Sequence, residues 1–309
     1  MNATPAHPAS AFEPQAIAPA HEAITRPFYW SIRRELWENR SVYLAPLIVA
    51  AVVLFASMFN LFGLPRRIDA LSSQPAKQRA AITRPFAMAP APIMLASFLV
   101  GLFYSLDALY GDRRDRSILF WKSLPVSDRT VVLSKATIPI VALPLIALAL
   151  SVSTFTIMLF GGSAVLVANG MSPGALWREV PFVQLPLTML YGLTIHALWF
   201  APIYCWLLLV SAWARRTPLL WVVLPPFAVI IAERIVFGST HFASLLRYRV
   251  VGAMREAFEV QAGRAGTIER IWQLEPIRFL SAPGLWLGLI FAAVCIAAAV
   301  RLRRKREPL

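Results

Sequence analysis

Side chains able to make or break bonds are few in this protein, and they are scattered. Ser163, in Gly161-Gly162-Ser163-Ala164, and His196 are the nucleophile and base that acyl transfer requires. Against that chemistry, the glycine pair falls at the outer end of one apolar stretch and His196 belongs to the next. Tandem glycines at such a place read more simply as a helix break. No paired histidines or Glu-Glu cluster suited to a catalytic metal occurs in the apolar stretches, and Cys205 and Cys295 each sit inside an apolar run without ligand spacing. The phosphate-cradling pattern Gly-x-x-x-x-Gly-Lys-Ser/Thr is also missing, so the chain has no means of holding ATP on its own. What remains are polar residues in apolar surroundings: His196, and the pair Glu233-Arg234. A charge at mid-bilayer costs about 2.5–3.5 kcal/mol on insertion scales. These three are therefore candidates to line or gate a pathway, with snorkelling or pairing to a neighbouring helix as the plainer alternative.

The densest charge lies elsewhere. Gly111-Asp112-Arg113-Arg114-Asp115-Arg116 leads into Ile118-Leu119-Phe120-Trp121, followed by Lys122, Pro125, Asp128, Arg129 and Lys135. A tether between two bilayer helices has no need of aromatic and aliphatic bulk framed by paired charges. A surface that grips a soluble partner does, because aromatics ringed by charge make interface hot spots. Gly111 to Leu124 reads as a short helix closed by Pro125, with Ser127 as N-cap of the next helix and Asp128 in its first turn. The docking surface would comprise Asp112, Arg113, Arg114, Asp115, Arg116, Ile118, Leu119, Phe120 and Trp121. The competing reading is that the four apolar residues dip into lipid headgroups. Asp107, just before the segment, is expected to pair with a nearby arginine.

The elements that must position these residues follow from composition. The 309 residues are 58% hydrophobic and only 15% charged, and the mean hydropathy is +0.62. Soluble domains are about 45–50% apolar and about 25% charged, so the balance is that of a polytopic, all-helical membrane protein. About 20 apolar residues cross the hydrocarbon core, and six stretches qualify: 44–62, 86–106, 136–160 ended by Gly161-Gly162, 182–213, 218–237 and 285–300. Arg215-Arg216-Thr217-Pro218 makes the turn between the fourth and fifth. The net charge of +14 fits basic residues gathered beside spans. A nucleic-acid role is not expected, since no basic module has room to fold outside the apolar stretches.

The positive residues orient the chain. Arg215-Arg216 and the tail Arg301 to Arg306 place both termini in the cytoplasm. Residues 1–25, rich in Ala and Pro, read as a disordered tail rather than a signal peptide, and 301–309 as a basic tail. Residues 26–43 form an interfacial helix: Phe28, Ile32 and Leu36 recur at four-residue spacing beside Trp30 and Trp37, with Arg33, Arg34, Glu38 and Arg40 on a polar side. Between spans five and six, Ala243, Leu246, Val250 and Ala253 make the apolar stripe of an external helix, with Arg247 and Arg249 opposite.

The run from Tyr104 to Ser127, with its Leu124-Pro125-Val126-Ser127 turn, resembles the region after the second span in bacterial ATP-binding-cassette permeases of the type-2 exporter family. The likeness extends to the six spans and the N-terminal interfacial helix, and its specific part is Tyr104 to Lys135. It implies that the segment from Asp112 to Trp121 is the coupling helix that meets a soluble ATPase subunit. It also implies a permease homodimer or heterodimer in the lipid of a bacterial inner (plasma) membrane, export of an unidentified substrate, and ATP and Mg bound by the ATPase, with no cofactor and no catalytic residue on this chain. Two other classes compete with this one. Gly161 to Ala164 superficially resembles the serine motif of rhomboid proteases. An ion-gradient-driven carrier would carry broken helices at matching places in two halves, and no such internal symmetry is visible.

Overall fold

The computed structural model describes residues 25–115, 126–180, 182–257 and 275–305, and these form helices and turns only. Six helices are long and apolar enough to cross a membrane, as expected of an integral membrane protein. The tail up to residue 24, the positions Arg116, Ile118, Leu119, Phe120 and Trp121, and the last four residues lie outside the described residues.

Helix α1, Thr25–Glu38, ends earlier than the 43 expected from sequence. At its end the Asn39 backbone N–H and side-chain Nδ2 both donate to the Glu35 carbonyl, at 3.0 and 3.1 Å, and the chain turns at Asn39-Arg40 before the next helix. Helix α2, Ser41–Phe62, is the first span and carries no charge. Two short helices, α3 (Leu64–Ala70) and α4 (Pro75–Met88), lead back to the second span, α5, at Pro90–Arg114. Gly111 to Arg114 therefore belongs to the last turn of α5 rather than to a separate helix. The hydrogen-bonded ladder of α5 continues past its apolar section because its polar end is held by neighbouring helices, as shown below.

Ser127 caps α6 (Asp128–Thr137) as expected: its Oγ accepts from the Thr130 N–H at 3.2 Å. A π turn at Ile138–Ala142 joins α6 to α7, Leu143–Ala168. Pro139 has no N–H to give the preceding turn, which is one cause of such widening. Against expectation, α7 runs straight through Gly161-Gly162. The glycines are contact points, not a break. A Cβ at Gly161 would stand 3.2 Å from Met58 Cε, and one at Gly162 would stand 3.1 Å from Leu176 Cδ2. Small residues let helices approach in lipid, and here they seat α2 and the short α8 (Gly174–Glu179) against α7.

Helix α9, Gln184–Trp213, is the centre of the bundle, with Trp199 and Tyr204 wholly buried on it. It packs on α5, α7 and the last span, α13 (Pro283–Lys305). The fifth span, α10 (Pro218–Phe237), begins after Thr217 in a left-handed conformation (φ 44°) and buries no residue inside the chain. It ends at Gly238 (φ 63°), whose N–H bonds to the Arg234 carbonyl. Then come α11 (His241–Ala257) and α12 (Pro276–Ser281). Arg249 departs from the polar face assigned to it: its guanidinium lies 4.8 Å over the Trp199 ring.

Candidate functional site: a buried ion network at one end of the bundle

Three carboxylates and two cations from four helices meet at the end of the bundle where α1 lies. Lys135 Nζ on α6 bonds to Glu35 Oε1 on α1 at 2.8 Å and to Asp112 Oδ1 on α5 at 3.2 Å. The other oxygen of Asp112 accepts from Arg303 Nη1 on α13 at 3.1 Å, and Arg303 Nε reaches Asp128 Oδ1, also at 3.1 Å. Tyr104 closes the chain at its other end by donating its hydroxyl to Glu35 Oε2 at 2.7 Å. The side chains of Glu35, Lys135 and Arg303 are each 4% exposed and Asp112 is 12% exposed.

Burial on this scale decides the energetics. A lone ion taken out of water costs several kcal/mol, so each one here is held only by its partners. Asp112 serves two cations and Lys135 two carboxylates, which makes the chain from Glu35 to Asp128 one unit rather than separate pairs. Exposed Arg304, 4.0 Å from Asp128 Oδ2, adds a weaker solvent-side partner.

Local structure explains how each side chain arrives. Glu35 falls on the same face of α1 as Ser31, Ile32 and Leu36, which turns inward, while Tyr29, Trp30 and Trp37 face out. Arg33 is stacked between the two outward indoles, 5.1 Å from Trp30 and 4.8 Å from Trp37. Arg113 is buried beside the network but is used differently. Its Nη2 donates to the carbonyls of Ser211 (2.8 Å) and Ala214 (2.6 Å), satisfying acceptors at the end of α9. In return, Ser211 Oγ accepts from the backbone N–H groups of Leu109 and Tyr110 at 3.0 and 2.8 Å. The ends of α5 and α9 are thus stitched together from both sides.

The residues singled out from sequence separate into groups. Asp112 and Arg113 lie inside, tied to the bundle. Arg114 and Asp115 are exposed and pair with one another at 3.0 Å; Arg114 also lies 3.8 Å from Asp107, the arginine pairing expected there. Phe28 is half-buried. His196 hydrogen-bonds Tyr204 on its own helix, at 3.0 Å, rather than another helix. Ser163 donates to the Leu159 carbonyl and accepts from Trp177 Nε1, so neither member of the sequence pair bonds the other. Glu233 caps α11: its carboxylate accepts from Ser239 Oγ (2.6 Å) and from the N–H groups of His241 (2.7 Å) and Phe242 (2.9 Å). Arg234 is exposed. Burial lowers the Arg249 guanidinium from its ordinary value, with Tyr248 opposing the shift.

Sequence reasoning missed Glu35 and Arg303 as partners. For Glu35 a signal existed, since a carboxylate between Ile32 and Leu36 on an apolar stripe demands a cation. For Arg303 there was none: it is separated from Asp112 by 191 positions and sits in a run of similar basics. Among the described residues, no group of three or more His, Cys, Asp or Glu is placed to hold a metal. Comparison with known protein families, with curated proteins and with solved structures finds no match.

Proposed function

We propose that this chain is the membrane-spanning permease subunit of an ATP-binding-cassette exporter, worked by a separate ATPase that docks on residues 114–121; Asp112 and Arg113, bonded inside the bundle, drop out of the surface expected from sequence. The observation that carries the reading is where the ion network stands relative to that segment. Asp112 lies just before it and Asp128 just after it, and both are bonded to the same residue, Arg303. A load applied between those two positions would pass directly to α5, α6, α13 and, through Lys135, α1. A flexible tether has no use for such a mount.

Three further features support the reading. The chain lacks a phosphate loop, so its energy would come from elsewhere. Arg113, Lys135 and Arg303 gather at one end with the Arg215-Arg216 turn, which suits a cytoplasmic face on both termini and a bacterial inner membrane. No residue of α10 is fully buried within the chain, and α2 exposes Leu47, Ile48, Phe55 and Phe59. A second permease copy would cover part of these faces.

In this mechanism ATP binding closes the ATPase pair, pushes the segment that contains Phe120 and Trp121, and tilts α2, α5 and α10 about the dimer axis. The two orientations of the spans form a two-state element biased by ATP. Co-purification tests the assignment. The ATPase captured from native membranes is expected to carry a phosphate loop, and Phe120→Ala with Trp121→Ala is expected to release it while membrane insertion stays intact. Retention of the complex with full transport-coupled ATP hydrolysis would rule out the docking role.

A further inference from the structure

At the opposite end of the bundle, α2 and α4 face one another across an open groove of about 600 Å³. One wall is the stripe Val53, Ala56, Ser57 and Asn60 of α2; the other is Lys77, Ala80, Ala81 and Arg84 of α4. Both sets recur at i, i+3, i+4, i+7, so each is a continuous helical face. The small residues at the middle of each stripe leave the space between the walls unfilled. Arg67 of α3 bounds the groove at the Asn60 end, its Nη2 donating to Asn60 Oδ1 at 3.4 Å. Met88 lines the end next to α5, giving it an apolar wall.

Charge and shape together limit what fits. Arg67, Lys77 and Arg84 line the groove, no carboxylate does among the described residues, and none of the three cations is ion-paired there. Arg79, on the same helix, is different: it is neutralised by Glu179 at 2.8 Å and does not line the groove. Lys77 and Arg84 stand about 10 Å apart along the helix axis. That is within about one screening length, so their potentials add. The other flank of α4 is committed to packing, since Ile82 and Phe86 are buried against Leu61, Leu64 and Phe155. The groove-facing cations thus stand on a firmly seated helix at the end of a span, where headgroups lie.

We propose that this groove binds one anionic phospholipid of the surrounding bilayer, its phosphate among Arg67, Lys77 and Arg84 and an acyl chain along Val53, Ala56 and Met88. The occupant comes from the bilayer rather than from solution, because a cationic rim continuous with an apolar floor matches an amphiphile and leaves most of the floor unused by a free anion. The inference is independent of any ATPase.

The test uses the full chain in phosphatidylcholine nanodiscs carrying a minor fraction of phosphatidylglycerol with a photoactivatable acyl chain. Labelled peptides are expected from the α2 and α4 stripes, with competition by unlabelled phosphatidylglycerol but not by extra phosphatidylcholine or inorganic phosphate. Combining Arg67→Gln, Lys77→Gln and Arg84→Gln is expected to cut labelling by at least about tenfold, since each cation near an anionic headgroup contributes to retention. Arg79→Gln is expected to leave it intact. Ala81→Phe keeps every charge but fills the space between the two walls, and labelling should fall with it too. Equal labelling by a phosphatidylcholine probe, full competition by phosphate, or persistence of labelling in either the triple variant or Ala81→Phe would overturn the proposal.

Discussion

Lys135→Met is the sharpest probe of the ion network. The ammonium group is 4% exposed and bridges Glu35 at 2.8 Å and Asp112 at 3.2 Å. Methionine keeps nearly the same length and volume, so packing is preserved and only the charge is lost. Asp112 keeps Arg303, but Glu35 is left buried with the Tyr104 hydroxyl as its one remaining strong donor. Removing one partner from a buried ion pair costs about 3–5 kcal/mol. At about 2 °C of melting temperature per kcal/mol for a chain of this size, the expected loss is about 6–10 °C. The assay is thermal unfolding of the detergent-purified protein followed by tryptophan fluorescence. A second readout places a cysteine at buried Ser31, in a background where Cys205 and Cys295 are replaced, and follows maleimide labelling as α1 loosens. The companion variant Lys135→Met with Glu35→Gln removes the stranded charge and is expected to recover most of the loss, because a buried pair exchanged for neutral groups of similar shape is often neutral. If Lys135→Met melts within about 1 °C of the parent protein, or the double variant is no better than the single, the account of these residues as one interdependent unit is wrong.

Other sites yield shorter tests. Ser211→Ala leaves the Leu109 and Tyr110 N–H groups without the hydroxyl that accepts from both; a loss of about 1–3 kcal/mol is expected by denaturant or thermal unfolding, with faster amide exchange at the end of α5. Gly101→Val drives a methyl-bearing Cβ to within 3.0 Å of Tyr204 Cε1. Overpacking of about 1–3 kcal/mol is expected, with partial rescue by Tyr204→Leu, which opens the space. Gly162→Leu should likewise push Leu176 and Leu61 away and detach α8, read as new protease cleavage near residues 171–173. Glu233→Gln weakens the cap on α11, so the amides of His241 and Phe242 are expected to exchange faster in hydrogen-exchange mass spectrometry while the six spans remain protected.

Much of the scaffold was legible in the sequence, for a local reason. Whether about 20 consecutive residues can cross hydrocarbon depends on those residues alone. The uncharged run of α2, the Thr217-Pro218 start of α10 and the Ser127 cap of α6 could accordingly be read from the chain. The Gly161-Gly162 pair was misjudged because a glycine's effect depends on what stands opposite: Met58 and Leu176 make it a seat for close packing, and the surrounding helix absorbs its weak propensity. Glu233 looked like a pathway residue from its apolar neighbours, yet the turn at Gly238 brings the start of α11 back onto its carboxylate.

The ion network could be decided only by the tertiary structure. Charge pairing in a low-dielectric interior depends on separations of a few ångströms between groups drawn from anywhere in the chain. Glu35, Asp112, Asp128, Lys135 and Arg303 come from four helices, and nothing in their sequence spacing marks Arg303 from its neighbours in the basic tail. Composition determined that the chain is a set of membrane-length helices with basic flanks; the folded bundle decided which of those many charges are buried, and with whom.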